Sequence, residues 1–233
     1  MNFLSRTELL IGKEAIGKLK QSTVAIFGIG GVGSFTTEAL ARSGIGNLVL
    51  IDYDKINESN INRQIHATSK TIGFYKVDVM KERLKDINPE IKVQTYKKMY
   101  NEDTKEELIS NNYNYVVDAI DMVPSKIGLI LNCIDRGIPI ISSMGAGNKL
   151  DPTGFKVADI FETKMCPLAR IIRNELKKHS IKSLKVVYST EKPIKTVAGY
   201  SDAIGSISFV PSAAGLILSS VVVRELIGVS IDS

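Results

Sequence analysis

Residues 23–64 read TVAIFGIGGVGSFTTEALARSGIGNLVLIDYDKINESNINRQ, and the order of residue types within them decides the fold. Thr23–Phe27 is an apolar, β-branched run of the kind found in strands buried on both faces. It breaks on Gly28, Gly30, Gly31 and Gly33, and a helical pattern follows over residues 32–43. Strand, glycine turn and helix in that order make a phosphate cradle. Gly28 permits the tight turn, Gly30 lets backbone approach a phosphate, and Gly33 lets the helix pack close, while the helix amino terminus presents free N–H groups to an anion. The next apolar run, Asn47–Ile51, ends on Asp52, at the spacing where a carboxylate accepts hydrogen bonds from ribose hydroxyls.

Beyond Asp52 a dehydrogenase would enter its next helix. This chain instead continues through Asp54, Asn60, Arg63 and Gln64 in a polar stretch, then Ile72-Gly73-x-x-Lys76, and later Asp118-Ala119-Ile120-Asp121. With the motifs GxGGVGS, DxD, SNxNRQ, IGxxK and Asp-x-x-Asp, residues 6–145 resemble the ubiquitin-activating-enzyme-like superfamily, which includes the bacterial enzymes that adenylate sulfur-carrier proteins.

Working outward, residues 6–10 and 14–19 read as two short helices around Gly12, and Lys76 opens a helix to about residue 87. The pattern then alternates: strand 91–96, helix 102–111, strand 115–117, helix 124–136, strand 139–142. Such alternation predicts an α/β protein with a Rossmann-like, mostly parallel sheet and helices on both faces. A nucleotide would lie over the carboxyl ends of the strands, where Gly30, Asp52 and Asp121 fall. Residues 1–233 are expected to form one adenylation domain, with 1–145 as nucleotide-binding core and 146–233 as an extension for substrate binding and dimerisation.

These residue types suit activation of a carboxylate by ATP, because a triphosphate needs cations around it and a metal held by a carboxylate. Arg63 and Lys76 supply charge, and Asp121 is the expected magnesium ligand, whereas Asp118 reads as a strand-end residue capping the next helix. The resemblance further implies that Arg6 reaches the phosphates of a partner subunit in a homodimer, and that Asn60 and Gln64 face the nucleotide. It also allows a bound monovalent cation, for which the sequence offers no nameable ligands.

Past residue 145 the chain departs from the sulfur-carrier enzymes, which carry two Cys-x-x-Cys zinc pairs. Its two cysteines, Cys133 and Cys166, can build neither a zinc site nor a disulfide framework, so no zinc is expected. The segments Ala146–Thr153, Val157–Ile160, Cys166-Pro167-Leu168-Ala169-Arg170, Val186–Pro193, Gly205-Ser206 and Val210-Pro211-Ser212 resemble the tRNA threonylcarbamoyladenosine dehydratase branch. The resemblance implies adenylation of the threonyl carboxylate of the modified adenosine beside a tRNA anticodon, then ring closure by the neighbouring carbamoyl group with release of AMP. That chemistry needs no enzyme thiol. Cys166 stands before a helix amino terminus, where a thiol is acidified, yet an ordinary buried or surface thiol is the preferred reading.

Lys and Arg number 30 against 25 Asp and Glu, a net charge of +5 that permits a polyanionic partner. Arg170, Arg173, Lys177 and Lys178 lie on one helix and suit contact with tRNA phosphates, the preferred reading, with a solvated helix face as the alternative. His66 and His179 are isolated, and a structural role is expected for His66. Residues 189–208 read as a long loop or lid. The apolar stretch 209–223 holds Pro211 and stops at Arg224-Glu225, short of a membrane span, and the amino terminus lacks a signal-peptide pattern; a cytoplasmic protein is expected. Two other readings stand beside the dehydratase: an adenylyltransferase for a sulfur-carrier protein, and a nucleotide sensor without catalysis. A sulfur-transfer protein is a further conceivable partner, while the choice between oxygen and nitrogen in ring closure is not legible.

Overall fold

The computed structural model describes residues 3–195 and 204–229. Five parallel strands, β1 (Thr23–Phe27), β2 (Asn47–Ile51), β3 (Lys92–Tyr96), β4 (Tyr115–Asp118) and β5 (Ile140–Ser143), form one side of a seven-stranded sheet, with β3 at its edge. The carboxyl-terminal strands β6 (Phe155–Asp159) and β7 (Lys185–Ser189) extend it in the order β3-β2-β1-β4-β5-β7-β6. Strand β7 runs parallel to β5, and β6 pairs antiparallel with β7, Val157 opposite Val187. The order reverses between β1 and β4, which open a crevice at their carboxyl ends.

Local sequence explains the elements. The interior strands are buried on both faces and accordingly read VAIF, LVLI and YVVD, whereas the edge strand β3, KVQTY, is half exposed. Helix α1 (Ser5–Gln21) is kinked at Gly12, which adopts φ 81°, so two helical pieces stand where two were expected. Helices α2 (Gly33–Arg42), α3 (Lys76–Ile87), α5 (Val123–Asp135), α6 (Pro167–Lys178) and α7 (Phe209–Ile227) cover the sheet, with Pro at the start of α5 and α6, where a missing N–H costs nothing.

One predicted helix differs. The expected helix 102–111 is the four-residue α4 (Lys105–Leu108), because Asn101 and Thr104 satisfy the preceding backbone from their side chains and Tyr113 takes the Leu108 carbonyl. Helix α7 also runs four residues past its expected end and closes on Gly228, φ 76°, with the Val229 N–H bonded to the Arg224 carbonyl. Its length and composition would now suffice to cross a membrane. Here it packs on α2 so closely that a Cβ on Gly215 would stand 2.4 Å from the Val32 carbonyl oxygen, and Val210, Ala214, Leu218 and Val222 are buried in the main core. The expected loop 189–208 falls partly on residues 196–203, which lie outside the described residues.

Candidate active site

A cavity of about 580 Å³ opens over the carboxyl ends of β1, β2, β4 and β5. Gly28, Gly30, Gly31, Asp52, Asp54, Asn60, Arg63, Gln64, Lys76 and Asp121 all line it. Of the remaining expected residues, Gly33 lies beneath it and Arg6 away from it.

The glycine turn is as tight as its residues allow. Gly28 has φ 87°, and a Cβ on Gly33 would sit 1.8 Å from the Gly28 carbonyl oxygen, so α2 begins directly against the turn. A Cβ on Gly31 would touch Pro211 at 3.2 Å and Arg63 Cγ at 3.5 Å, so this glycine is pinched between α7 and the polar stretch. Gly30 faces open space, with only Gln64 Nε2 near at 3.9 Å. Its backbone is therefore accessible from the cavity.

Asp52 is buried and accepts the Ile29 N–H at 2.7 Å and the Asp54 N–H at 2.8 Å, which turn its carboxylate toward the cavity. Burial pushes its pKa above the ordinary carboxylate value, and the Lys76 ammonium opposes that rise. Lys76 enters from the first residue of α3, 2.6 Å from Asp54 and 4.0 Å from Asp52. Asn60 ends a short 3₁₀ turn, accepting the Asn57 N–H, and Arg63 Nη1 donates to the Ser59 carbonyl and to Asn62 Oδ1. Gln64 is buried with Oε1 unpaired, and its Nε2 stands beside Gly30.

Asp121 is exposed on the opposite rim. Burial raises the pKa of Tyr53 beside it, and the charges of Asp54, Asp121 and Asp52 add to the rise, so three carboxylates project a negative field into one part of the cavity. Hard oxygen donors with a phosphate chain alongside fit magnesium, which keeps most of its waters and takes one or two carboxylates. No cluster of three His, Cys, Asp or Glu residues able to hold a metal occurs among the described residues, so one carboxylate plus phosphate is the arrangement available.

Asp118 does not cap a helix. It is fully buried at the end of β4, 2.7 Å from Lys126 Nζ, and it accepts the Ser142 hydroxyl and the Ile120 N–H. That pairing removes it from metal binding. Lys126 was not legible as a buried residue, because a lysine three positions into a helix normally reaches water. Also missed were Tyr53, Met122 and the loop Ser143–Gly147, whose GAG triplet after a strand was the available signal. Arg6 is exposed on α1, beside Leu9 and Leu10, which are 82% and 84% exposed. His66 is buried with neither ring nitrogen bonded, and burial, assisted by Lys76 and Arg83, lowers its pKa to about 3. Cys166 is buried behind the cavity wall, its Sγ 3.8 Å from where a Gly145 Cβ would lie.

A doubly wound sheet with a glycine turn, an acid closing its second strand and two cations over the crevice defines an α/β nucleotide-binding protein of the adenylating type. The chain belongs to the ThiF family, whose model matches residues 4–230. It is 46% identical over 238 positions to the tRNA threonylcarbamoyladenosine dehydratase of Bacillus subtilis (strain 168), covering 96% of this chain and 94% of that one. Solved structures of the Escherichia coli tRNA N6-threonylcarbamoyladenosine dehydratase superpose with a TM-score of 0.90: the ATP complex at 35% identity over 97% of this chain and 93% of that one, and the AMP complex at 36% over 96% and 93%.

Proposed function

We propose that this protein is an ATP-dependent enzyme that dehydrates threonylcarbamoyladenosine in tRNA. The threonyl carboxylate attacks the α-phosphate of ATP and expels pyrophosphate, and the carbamoyl group then closes a ring on the activated carbonyl carbon, releasing AMP. One observation carries the reading: a single cavity brings the glycine turn, the Arg63 and Lys76 cations and the Asp52 and Asp121 carboxylates together, with room left beside the Ser143–Gly147 loop for a second reactant. The full-length likeness to the Bacillus enzyme supports the same substrate over a sulfur-carrier protein.

Gly28, Gly30 and Gly31 form the phosphate cradle, Asp52 takes the ribose hydroxyls, and Asn60 and Gln64 complete the nucleotide wall. Arg63 and Lys76 stabilise charge developing on the phosphates, and Asp54 holds Lys76 until nucleotide displaces it. Asp121 would hold magnesium, which when bound neutralises the triphosphate. No site for a monovalent cation is assigned.

Residues 1–233 act as one adenylation domain, a unity supported by β6 and β7 joining the same sheet, with 1–145 as core and 146–233 as extension. The exposed Leu9 and Leu10 favour a homodimer in which a second copy covers α1 and receives Arg6 at its phosphates. Arg170, Lys177 and Lys178 of α6 serve tRNA, whereas Arg173 is held by the Ile160 and Thr163 carbonyls and the Thr163 hydroxyl. A sulfur-transfer partner has no surface assigned to it, and the cytoplasm, where tRNA is found, is the proposed location.

The test is mass spectrometry of nucleosides from tRNA carrying threonylcarbamoyladenosine, incubated with the protein, ATP and magnesium. Loss of one water from that nucleoside, with AMP and pyrophosphate formed, is the expected result. An unchanged nucleoside, with pyrophosphate exchange that depends on a carrier protein, would replace this reading by the adenylyltransferase.

A further inference from the structure

Asn148 follows the loop after β5 and stands at φ 57°, a backbone region that asparagine tolerates better than most residues. It holds two segments at once. Its N–H donates to the Gly205 carbonyl at 2.8 Å, its carbonyl accepts the Ile194 N–H at 2.7 Å, and its side-chain Oδ1 accepts the Gly205 N–H at 2.6 Å. The neighbouring Ser206 carbonyl accepts Asn62 Nδ2 at 3.0 Å, and Asn62 Oδ1 in turn accepts Arg63 Nη1 at 2.9 Å. Residues 204–206 therefore form a strap tied at one side to the loop after β5 and at the other to the Arg63 stretch.

The strap lies on the cavity. Gly147, Ile204, Ser206 and Arg63 all line it, and a Cβ on Gly147 would stand 2.2 Å from Ile204 Cγ2, so only glycine lets the strap sit so close. Ile204 is nonetheless 78% exposed. An apolar side chain pinned at a cavity rim with one face toward solvent is placed for an incoming substrate to cover.

We propose that Asn148 is a positioning residue: it fixes the strap of residues 204–206 across the reacting carboxyl group, so that water is kept from the acyl adenylate while the substrate closes its ring. This rests on the dehydratase reading above. In the productive step an atom of the carbamoyl group bonds to the threonyl carbonyl carbon, the bond from that carbon to the AMP oxygen breaks, and the carbamoyl proton is lost. In the competing step water adds to the same carbon, AMP leaves in the same way, and the original carboxylate is restored at the expense of one ATP. The two outcomes differ only in which nucleophile reaches the carbon, and that is what a fixed strap selects.

The measurement is the number of AMP formed per cyclised nucleoside, with pyrophosphate release followed in parallel. Asn148→Gly is the informative variant, because glycine takes the positive φ freely and retains both main-chain bonds while removing the Oδ1 acceptor. Asn148→Asp restores that acceptor. The unaltered protein is expected to form about one AMP per cyclised nucleoside, the glycine variant about tenfold more with pyrophosphate release persisting, and the aspartate variant a ratio near the original. A glycine variant whose AMP and product fall together at an unchanged ratio overturns the proposal, since a merely structural residue behaves that way, and so does an aspartate variant as wasteful as the glycine one. Absence of cyclised nucleoside with the unaltered protein would instead overturn the dehydratase reading itself.

Discussion

The Lys76 ammonium lies 2.6 Å from the Asp54 carboxylate and 4.0 Å from that of Asp52, with its side chain 7% exposed and that of Asp54 45% exposed. A cation held by a half-solvated carboxylate is one that a triphosphate can recruit, because Asp54 regains water when the pair opens while the ammonium gains the phosphate charge in exchange. Lys76 is thus stored at the cavity rather than locked into the fold.

Replacing Lys76 or Arg63 with Ala should therefore abolish adenylation while leaving the fold in place. AMP formation is expected to fall by at least about 100-fold, the scale seen when a group stabilising transition-state charge is removed. Circular dichroism and thermal melting should stay near those of the unaltered protein. Turnover at the normal rate in either variant would remove that residue from the phosphate site.

Lys126 makes the opposite kind of pair. It and Asp118 are both fully buried, and Ser142 completes the group. Lys126→Ala leaves a buried carboxylate without its counter-charge and should destabilise the protein by about 3–5 kcal/mol, whereas the double replacement Lys126→Met with Asp118→Asn should recover much of that. Urea unfolding of the single and double variants decides it; equal losses in both would mean that the ion pair is not the cause.

His66 predicts a pH dependence. Its pKa falls from 6.5 to about 3 in the folded chain, because it is buried beside Lys76 and Arg83. Between those values the unfolded chain binds a proton that the folded chain refuses, so stability declines as pH drops through the window and is complete above 6.5. From pH 7 to pH 5 the expected loss is about 2 kcal/mol, and His66→Leu should lack it. Denaturant midpoints at the two pH values supply the test, and the same decline in both proteins would show that another group is responsible.

Cys166→Ser should leave cyclisation within about twofold, since ring closure needs no thiol and Cys166 is buried and does not line the nucleotide cavity. Loss of product with an intact melting transition would assign the thiol a chemical role.

The amino-acid sequence alone determined the parts of this protein that rest on short-range physics. Runs of buried β-branched residues specify interior strands whatever they pair with, and glycines at 28 and 33 are demanded by a positive φ and a close backbone approach within six residues. The strands, the phosphate turn and the acid at Asp52 follow from that local chemistry, and so does the clustering of Asp52, Arg63, Lys76 and Asp121, because a parallel doubly wound sheet brings all strand ends to one edge.

Tertiary structure decided whatever depends on partners far away in the chain. That β7 enters between β5 and β6 is a matter of pairing, to which a strand's own pattern is blind. Lys126 reads as a surface lysine until β4 and β5 bring Asp118 and Ser142 to it. Asn148 acquires its meaning only when Gly205, 57 residues on, reaches its side chain. Burial and hydrogen bonding between remote segments are properties of the assembled sheet, and no local pattern of residues encodes them.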